Sequence, residues 1–383
     1  MSSARTRGRG RRETHVLYLV PGFFGFTNLG RLRYFMHVDR FLRERCAERG
    51  IQARVHVVPT HPTASLPKRA ALVIETMART LRGRGEIVHL IGHSTGGLDA
   101  RLATSPGVVL PTRLDVERWA GRVRSVIGVS SPQRGTPLAA YLTTRRGQRA
   151  LALLSLMTSY LLRFGRLPLS ALLGVGKFFR RTGTRRDGTL IDALSRRLLE
   201  DFSLPRRRAV SRLLREVFED QSLLLQLTPE AMDLFVATVR DRPGVRYGSV
   251  VTRSRPPGVG TTLAAGLGAG PQAIHAIYGA IYRLSAQTQG ARTPQPDAMQ
   301  RRALRRAYGK VPGARANDGI VPTRAQVHGR VIAAVRGDHL DVIGHFNDPD
   351  TDPPHFDWLT TGSGFDLARF EAVWDGVMDF LLA

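Results

Sequence analysis

Leu90-Ile91-Gly92-His93-Ser94-Thr95-Gly96-Gly97 is the stretch on which the reading of this chain turns. The apolar run Ile87–Ile91 leads into it, and a helical pattern starts near Leu98. A serine set among glycines at such a junction has a definite physical use. To stand its hydroxyl above the edge of a sheet, the chain must turn sharply from strand to helix, with strained dihedrals at the serine itself. Glycines on either side let strand and helix approach closely, and the new helix points its free N–H groups at the serine. A G-x-S-x-G pattern alone recurs by chance; the strand–turn–helix context is what makes Ser94 a nucleophile candidate.

Outward from this junction, short apolar runs alternate with helical stretches. Val16–Val20, Ala53–Val58, Ile87–Ile91, Val123–Val129, Val245–Val251 and Val331–Val335 read as strands buried on both faces. Leu98–Ala103 and Phe365–Leu382 read as helices. The alternation predicts an α/β-hydrolase fold: a mostly parallel central sheet with flanking helices and an inserted helical cap. Residues 1–13 form a disordered basic arm in this reading, 14–136 the first part of the core, 137–242 the cap or lid, and 243–383 the second part of the core. The cap rests on apolar-periodic segments at Ala150–Phe164, Leu169–Phe179, Leu190–Phe202 and Ala209–Phe218. A second, Gly-rich then helical insertion is expected at 256–316, with its helix at Ile274–Ala286.

Lys+Arg 57 against Asp+Glu 31 leaves a net charge of +26. Such a field favours phosphate-rich partners, an anionic membrane surface above all. Yet only Lys68, Lys177 and Lys310 are lysines, and the arginines are spread along the chain rather than gathered in a stripe. Compositional bias accounts for that pattern, and nucleic acid is not an expected partner. Cys46 is the single cysteine, which excludes an intramolecular disulfide and a cysteine-based zinc cluster. No apolar run reaches membrane-spanning length. The run His15–Val20 leads straight into a loop needed for catalysis, so it does not serve as a cleavable signal, and a cytoplasmic place, with membrane association allowed, is the default expectation.

A serine nucleophile needs a histidine base, a carboxylate to orient it, and N–H donors for the oxyanion. Chain order in this fold is serine, acid, histidine. Asp318, in the tight turn Asn317-Asp318-Gly319-Ile320-Val321-Pro322, and His339, in Asp338-His339-Leu340-Asp341 after the last strand, satisfy that order. His345, His355, Asp338 and Asp341 are the competitors. The oxyanion donors fall to the N–H of Thr95 and to the N–H of Phe23, in Val20-Pro21-Gly22-Phe23-Phe24-Gly25-Phe26. Phe24, Phe26 and His93 are candidates for the substrate wall.

Together these segments resemble the bacterial true lipases of the Pseudomonas and Burkholderia type, whose oxyanion loop, elbow, acid turn and base segment they parallel. Ser131-Pro132-Gln133-Arg134-Gly135-Thr136 and Leu227-Thr228-Pro229-Glu230 add to the likeness, which leaves out the helical block. The resemblance implies the triad Ser94, Asp318 and His339. Pro21 departs from it, standing where the family has histidine, and the family's disulfide and secretion signal have no counterpart. The family's structural calcium makes Asp341 a possible ligand; otherwise no metal or cofactor is expected.

The resulting expectation is a serine hydrolase of carboxylic esters, a lipase or esterase acting on acylglycerols or other lipid esters. Leu151–Leu162 is either a lid or membrane-docking face or the cap's own core helix. An acyltransferase or thioesterase would use the same chemistry. A non-catalytic basic membrane- or nucleic-acid-binding protein is the alternative from another class.

Overall fold

The computed structural model describes residues 13–23, 34–83, 85–150, 220–287, 295–357 and 359–383, with scattered positions between 151 and 215. Its centre is a six-stranded sheet formed by β1 (Thr14–Val20), β2 (Gln52–Val57), β3 (Glu86–His93), β4 (Val123–Val129), β5 (Arg246–Arg253) and β6 (Arg330–Arg336). The strands run in the order β2-β1-β3-β4-β5-β6 and every pair is parallel. All six apolar runs picked out in the sequence are strands.

They read as apolar runs because both faces are covered. Along β1, Val16, Tyr18 and Val20 enter one core while Leu17 and Leu19 enter the other. The first core lies under α2 (Leu66–Thr80) and α3 (Thr95–Thr104), the second under α1 (Met36–Glu48) and the C-terminal helix. Every residue of α3 is buried against the sheet and its neighbouring helices. Beyond it come α4 (Val116–Ala120), α5 (Pro137–Leu142), α6 (Ser222–Gln226) and α7 (Pro229–Thr238), then α8 (Val259–Ala264), α9 (Ala269–Ser285), α10 (Ala298–Tyr308) and α11 (Leu367–Leu382). On α11 the buried Phe370, Val373, Trp374, Val377 and Leu381 repeat at helical spacing. The Trp374 indole N–H donates to the Val342 carbonyl at 2.8 Å, which ties the helix to the segment after His339.

Between 137 and 242 the described residues hold helices and no strand, in keeping with a helical block. The segments proposed as lid or cap helices, Leu151–Leu162 among them, lie largely outside the described residues, as do the arm 1–12 and both Phe24 and Phe26. The stretch 256–316 differs from expectation in one respect. Its last helix, α10, is part of the core: Leu304 and Tyr308 pack with Val251, and the Tyr308 hydroxyl donates towards the Val251 carbonyl at 2.8 Å and the Val335 carbonyl at 3.1 Å. An amphipathic crossover helix that follows the insertion's own helix after a short polar segment looks in sequence like a continuation of the insertion. No helix among the described residues is long and apolar enough to cross a membrane.

Candidate active site

Parallel pairing brings the C-terminal ends of the strands to one edge. Val20 stands level with Gly92, Gly92 with Gly128, and Val129 with Val250. Loops at that edge collect the predicted residues.

Ser94 has φ 55 and ψ −128, a left-handed backbone that a side-chain-bearing residue adopts only when its surroundings impose it. The glycines are what make the turn possible. A Cβ on Gly92 would collide with the backbone of Gly96 and Gly97, and one on Gly96 with the Val20 carbonyl. The Ser94 N–H is held by the Val129 carbonyl at 2.8 Å, so the strained residue is anchored to the neighbouring strand. Thr95 opens α3 and is buried; as the first helical residue, its N–H has no partner within the helix. A Cβ on Gly22 would fall 2.6 Å from the Ser94 Cβ, so the loop that carries Phe23 lies directly against Ser94.

Asp318 is held by its own turn. Gly319, at φ +99, lets the chain reverse, and its N–H donates to the Asn317 side-chain oxygen at 2.8 Å. One Asp318 carboxylate oxygen accepts the N–H groups of Ile320 (2.9 Å) and Val321 (2.7 Å). The other accepts the Thr252 hydroxyl (2.9 Å), the Gln326 amide (3.1 Å) and His339 Nδ1 (2.8 Å). The Ser130 hydroxyl in turn lies 2.8 Å from that of Thr252. A carboxylate with so many hydrogen bonds stays fixed in place despite complete burial. It also orients His339: with Nδ1–H donated to Asp318, the other ring nitrogen is the one left to accept a proton. The His339 N–H donates to the Asp318 carbonyl at 3.0 Å, a second tie between the two loops.

His93 corrects an expectation. Its ring is wholly buried, with Nδ1 2.5 Å from the Tyr34 hydroxyl and Nε2 2.8 Å from the His339 carbonyl. Both nitrogens are committed inside the protein, so the ring does not face substrate. Desolvation holds its pKa well below the ordinary histidine value, and the neighbouring His339 ring, 4.7 Å away between centroids, adds to this. Phe23 is partly buried against the core under α2 and α3. The competitors are placed elsewhere: His345 Nε2 lies 3.3 Å from the Tyr34 carbonyl, and His355 stacks on His37 at 3.6 Å between ring centroids.

Sequence reasoning missed a buried ion pair beneath the site. Arg69 and Asp99, both fully buried, meet through Nε (2.9 Å) and Nη2 (2.7 Å). Nη2 also donates to the Pro21 carbonyl at 2.7 Å and reaches the Thr95 hydroxyl at 3.3 Å, and Nη1 reaches the His61 carbonyl. Burial outweighs the arginine and pushes Asp99 up to about 6. A charged residue on the otherwise apolar face of each helix was the available signal. Tyr34, Thr252, Gln326 and Ser130 were missed as well.

Next to His339 three carboxylates crowd together. Ligand oxygens of Asp338, Asp341 and Asp357 lie within 4.8 Å of one another. Burial pushes all three up, Asp341 to about 6; repulsion from neighbouring carboxylates adds to it at Asp338 and at Asp357, which rises to about 7. Among the described residues none is ion-paired with a basic side chain; their partners are the N–H groups of Asp338, Leu340, Asp341 and Leu359 and the hydroxyls of Thr361 and Ser363. An all-oxygen cluster short of positive charge fits a hard divalent cation. Asp341 was anticipated there; Asp338 and Asp357 were not.

Solved structures with this architecture are bacterial lipases and esterases of the α/β-hydrolase fold. The metagenomic carboxyl esterase MGS0156 superposes with a TM-score of 0.51 at 16% identity, over 97% of this chain and 76% of that one. EstA from Clostridium botulinum gives 0.50 at 18%, over 92% and 86%. Staphylococcus hyicus lipase gives 0.51 at 15%, over 99% and 98%. No protein-family model matches the sequence, and no curated protein matches it. At these identities the likeness establishes the fold; the Pseudomonas and Burkholderia type in particular is not singled out.

Proposed function

We propose that this chain is a serine hydrolase that cleaves carboxylic esters, lipid esters among them, through an acyl-enzyme on Ser94. The observation that carries the reading is the strained Ser94 elbow beside a buried, hydrogen-bonded Asp318–His339 pair. His339 takes the Ser94 hydroxyl proton as the oxygen attacks the ester carbonyl carbon. The oxyanion is received by the N–H groups of Phe23 and Thr95. Collapse breaks the ester C–O bond, and the protonated His339 gives its proton to the departing alcohol. Water then attacks the acyl-enzyme, its proton going to His339, and the acid leaves as Ser94 recovers its proton. Asp318 keeps its charge throughout and stabilises the imidazolium. A calcium ion held by Asp338, Asp341 and Asp357 would neutralise the carboxylates beside the base loop and take no part in the chemistry.

The neighbours named lipase and esterase favour an acyl ester over other substrates of this fold. The net charge of +26 would also hold the chain at an anionic lipid surface. Hydrolysis of p-nitrophenyl esters from acetate to palmitate, with and without an emulsified interface, tests the reading. Turnover of long-chain esters that rises at the interface supports a lipase; turnover confined to short soluble esters leaves an esterase; no turnover of any ester sinks the proposal.

A further inference from the structure

The Phe23 N–H can serve an oxyanion only if the loop Pro21-Gly22-Phe23, which lies against Ser94, holds one orientation. We infer that Tyr34 and His93 form a positioning pair that holds the oxyanion loop and the His339 loop in register across Ser94. This rests on the hydrolase reading above.

Every bond in the pair has a fixed direction. His93 Nε2 faces the His339 carbonyl, which can only accept, so Nε2 carries the hydrogen. A buried, neutral imidazole then has a lone pair on Nδ1, and the Tyr34 hydroxyl donates to it. The Tyr34 hydroxyl lies directly against Gly22, where an added Cβ would fall 3.0 Å from its oxygen. The chain therefore starts one residue before the Phe23 donor and ends on the carbonyl of the base itself. Arg69 holds the other end of the same peptide unit, through the Pro21 carbonyl. With its C=O bonded to Arg69 and its glycine seated against the Tyr34 hydroxyl, the Pro21–Gly22 peptide is held in place, and proline fixes the preceding φ. The next N–H along is that of Phe23. Tyr34 and His93 are both buried, so the bonds they lose have no ready replacement in bulk water.

Packing alone would be served as well by phenylalanine at position 34, whose ring would keep the edge contact with Phe35. The hydroxyl is what the inference depends on. The test measures kcat and KM on a soluble p-nitrophenyl ester for wild type, Tyr34→Phe, His93→Leu, His93→Gln and the Tyr34→Phe/His93→Leu double variant. Tyr34→Phe should lower kcat roughly tenfold or more, a fraction of the effect of deleting an oxyanion donor, with KM within about twofold of wild type. The double variant should be no slower than His93→Leu, because the two residues act as one unit. Glutamine at 93, with a donor and an acceptor, should recover part of what leucine loses. A Tyr34→Phe kcat within about twofold of wild type, or losses that multiply in the double variant, would overturn the pair. Should Tyr34→Phe not fold, equal kcat for the glutamine and leucine variants overturns it instead. A wild type that neither turns over ester nor reacts with a fluorophosphonate at Ser94 removes the hydrolase reading itself; an active wild type with an indifferent Tyr34→Phe removes only the pair.

Discussion

Asp318→Asn changes one oxygen to an amide nitrogen and leaves the shape of the turn alone. The side-chain oxygen can keep the N–H groups of Ile320 and Val321. The new amide then faces the Gln326 amide and His339 Nδ1, both donors towards the carboxylate in the native protein. To avoid opposing two N–H groups, His339 must move its proton to the other ring nitrogen, and there it can no longer take the proton of Ser94. In a triad this wrong-tautomer effect lowers kcat about 10⁴-fold, or about 5.4 kcal/mol of barrier. KM should change little, because Asp318 is fully buried and does not touch substrate. The lost hydrogen bonding should cost stability about 1–3 kcal/mol, so the variant remains folded in all but a marginal protein. Steady-state kinetics on a soluble p-nitrophenyl ester, with a thermal melt as control, reads both numbers. A folded variant whose kcat stays within about tenfold of wild type would refute the assignment of Asp318 as the residue that sets the tautomer.

Arg69→Met leaves Asp99 buried without its counter-charge and should destabilise the protein by about 3–5 kcal/mol at pH 8, read by denaturant titration. Arg69 lowers the Asp99 pKa, so without it Asp99 takes up a proton above the native value of about 6; the deficit should therefore shrink as pH falls towards 6 and level off below it, and Arg69→Met/Asp99→Leu should regain most of it. His89 is buried against His15 and its pKa is lowered to about 3 by burial, from 6.5. The unfolded chain therefore binds a proton that the folded protein refuses, so this contribution is complete above pH 6.5 and is lost as pH falls towards 3. Between pH 6.5 and 5, wild type should lose about 1–2 kcal/mol more than His89→Asn, and equal losses would contradict the burial argument. After treatment with a chelator, calcium should raise the melting temperature of wild type and not of Asp357→Asn; a rise in both would place the ion elsewhere.

Much of this was readable in the sequence, for reasons that can be given residue by residue. The central strands were legible because they are buried on both faces, which forces a continuous apolar run such as Val123–Val129, whereas the edge strands β2 and β6 are only partly buried. The elbow was legible because close approach at Gly92 and Gly96 admits no side chain. Asp318 and His339 were legible through chain order and the turn chemistry of Asn317-Asp318-Gly319. What failed to show was whatever depends on distant partners. Tyr34 and His93 are 59 positions apart, and Arg69 and Asp99 30, and neither pair leaves a local mark. His93 was misread for the same reason. Next to a nucleophile a histidine reads as a substrate contact until the partners that bury it are known. Helix α10 was assigned to an insertion because its packing on Val251 is likewise non-local.

The central claim is that Ser94 is the nucleophile. Intact-mass analysis after incubation with a fluorophosphonate, followed by peptide mapping, tests it most directly. Wild type should gain one phosphonyl adduct, mapped to the peptide containing Gly92-His93-Ser94-Thr95-Gly96, and Ser94→Ala should gain none. An unmodified wild type, or a Ser94→Ala variant labelled as fully as wild type, would contradict the account.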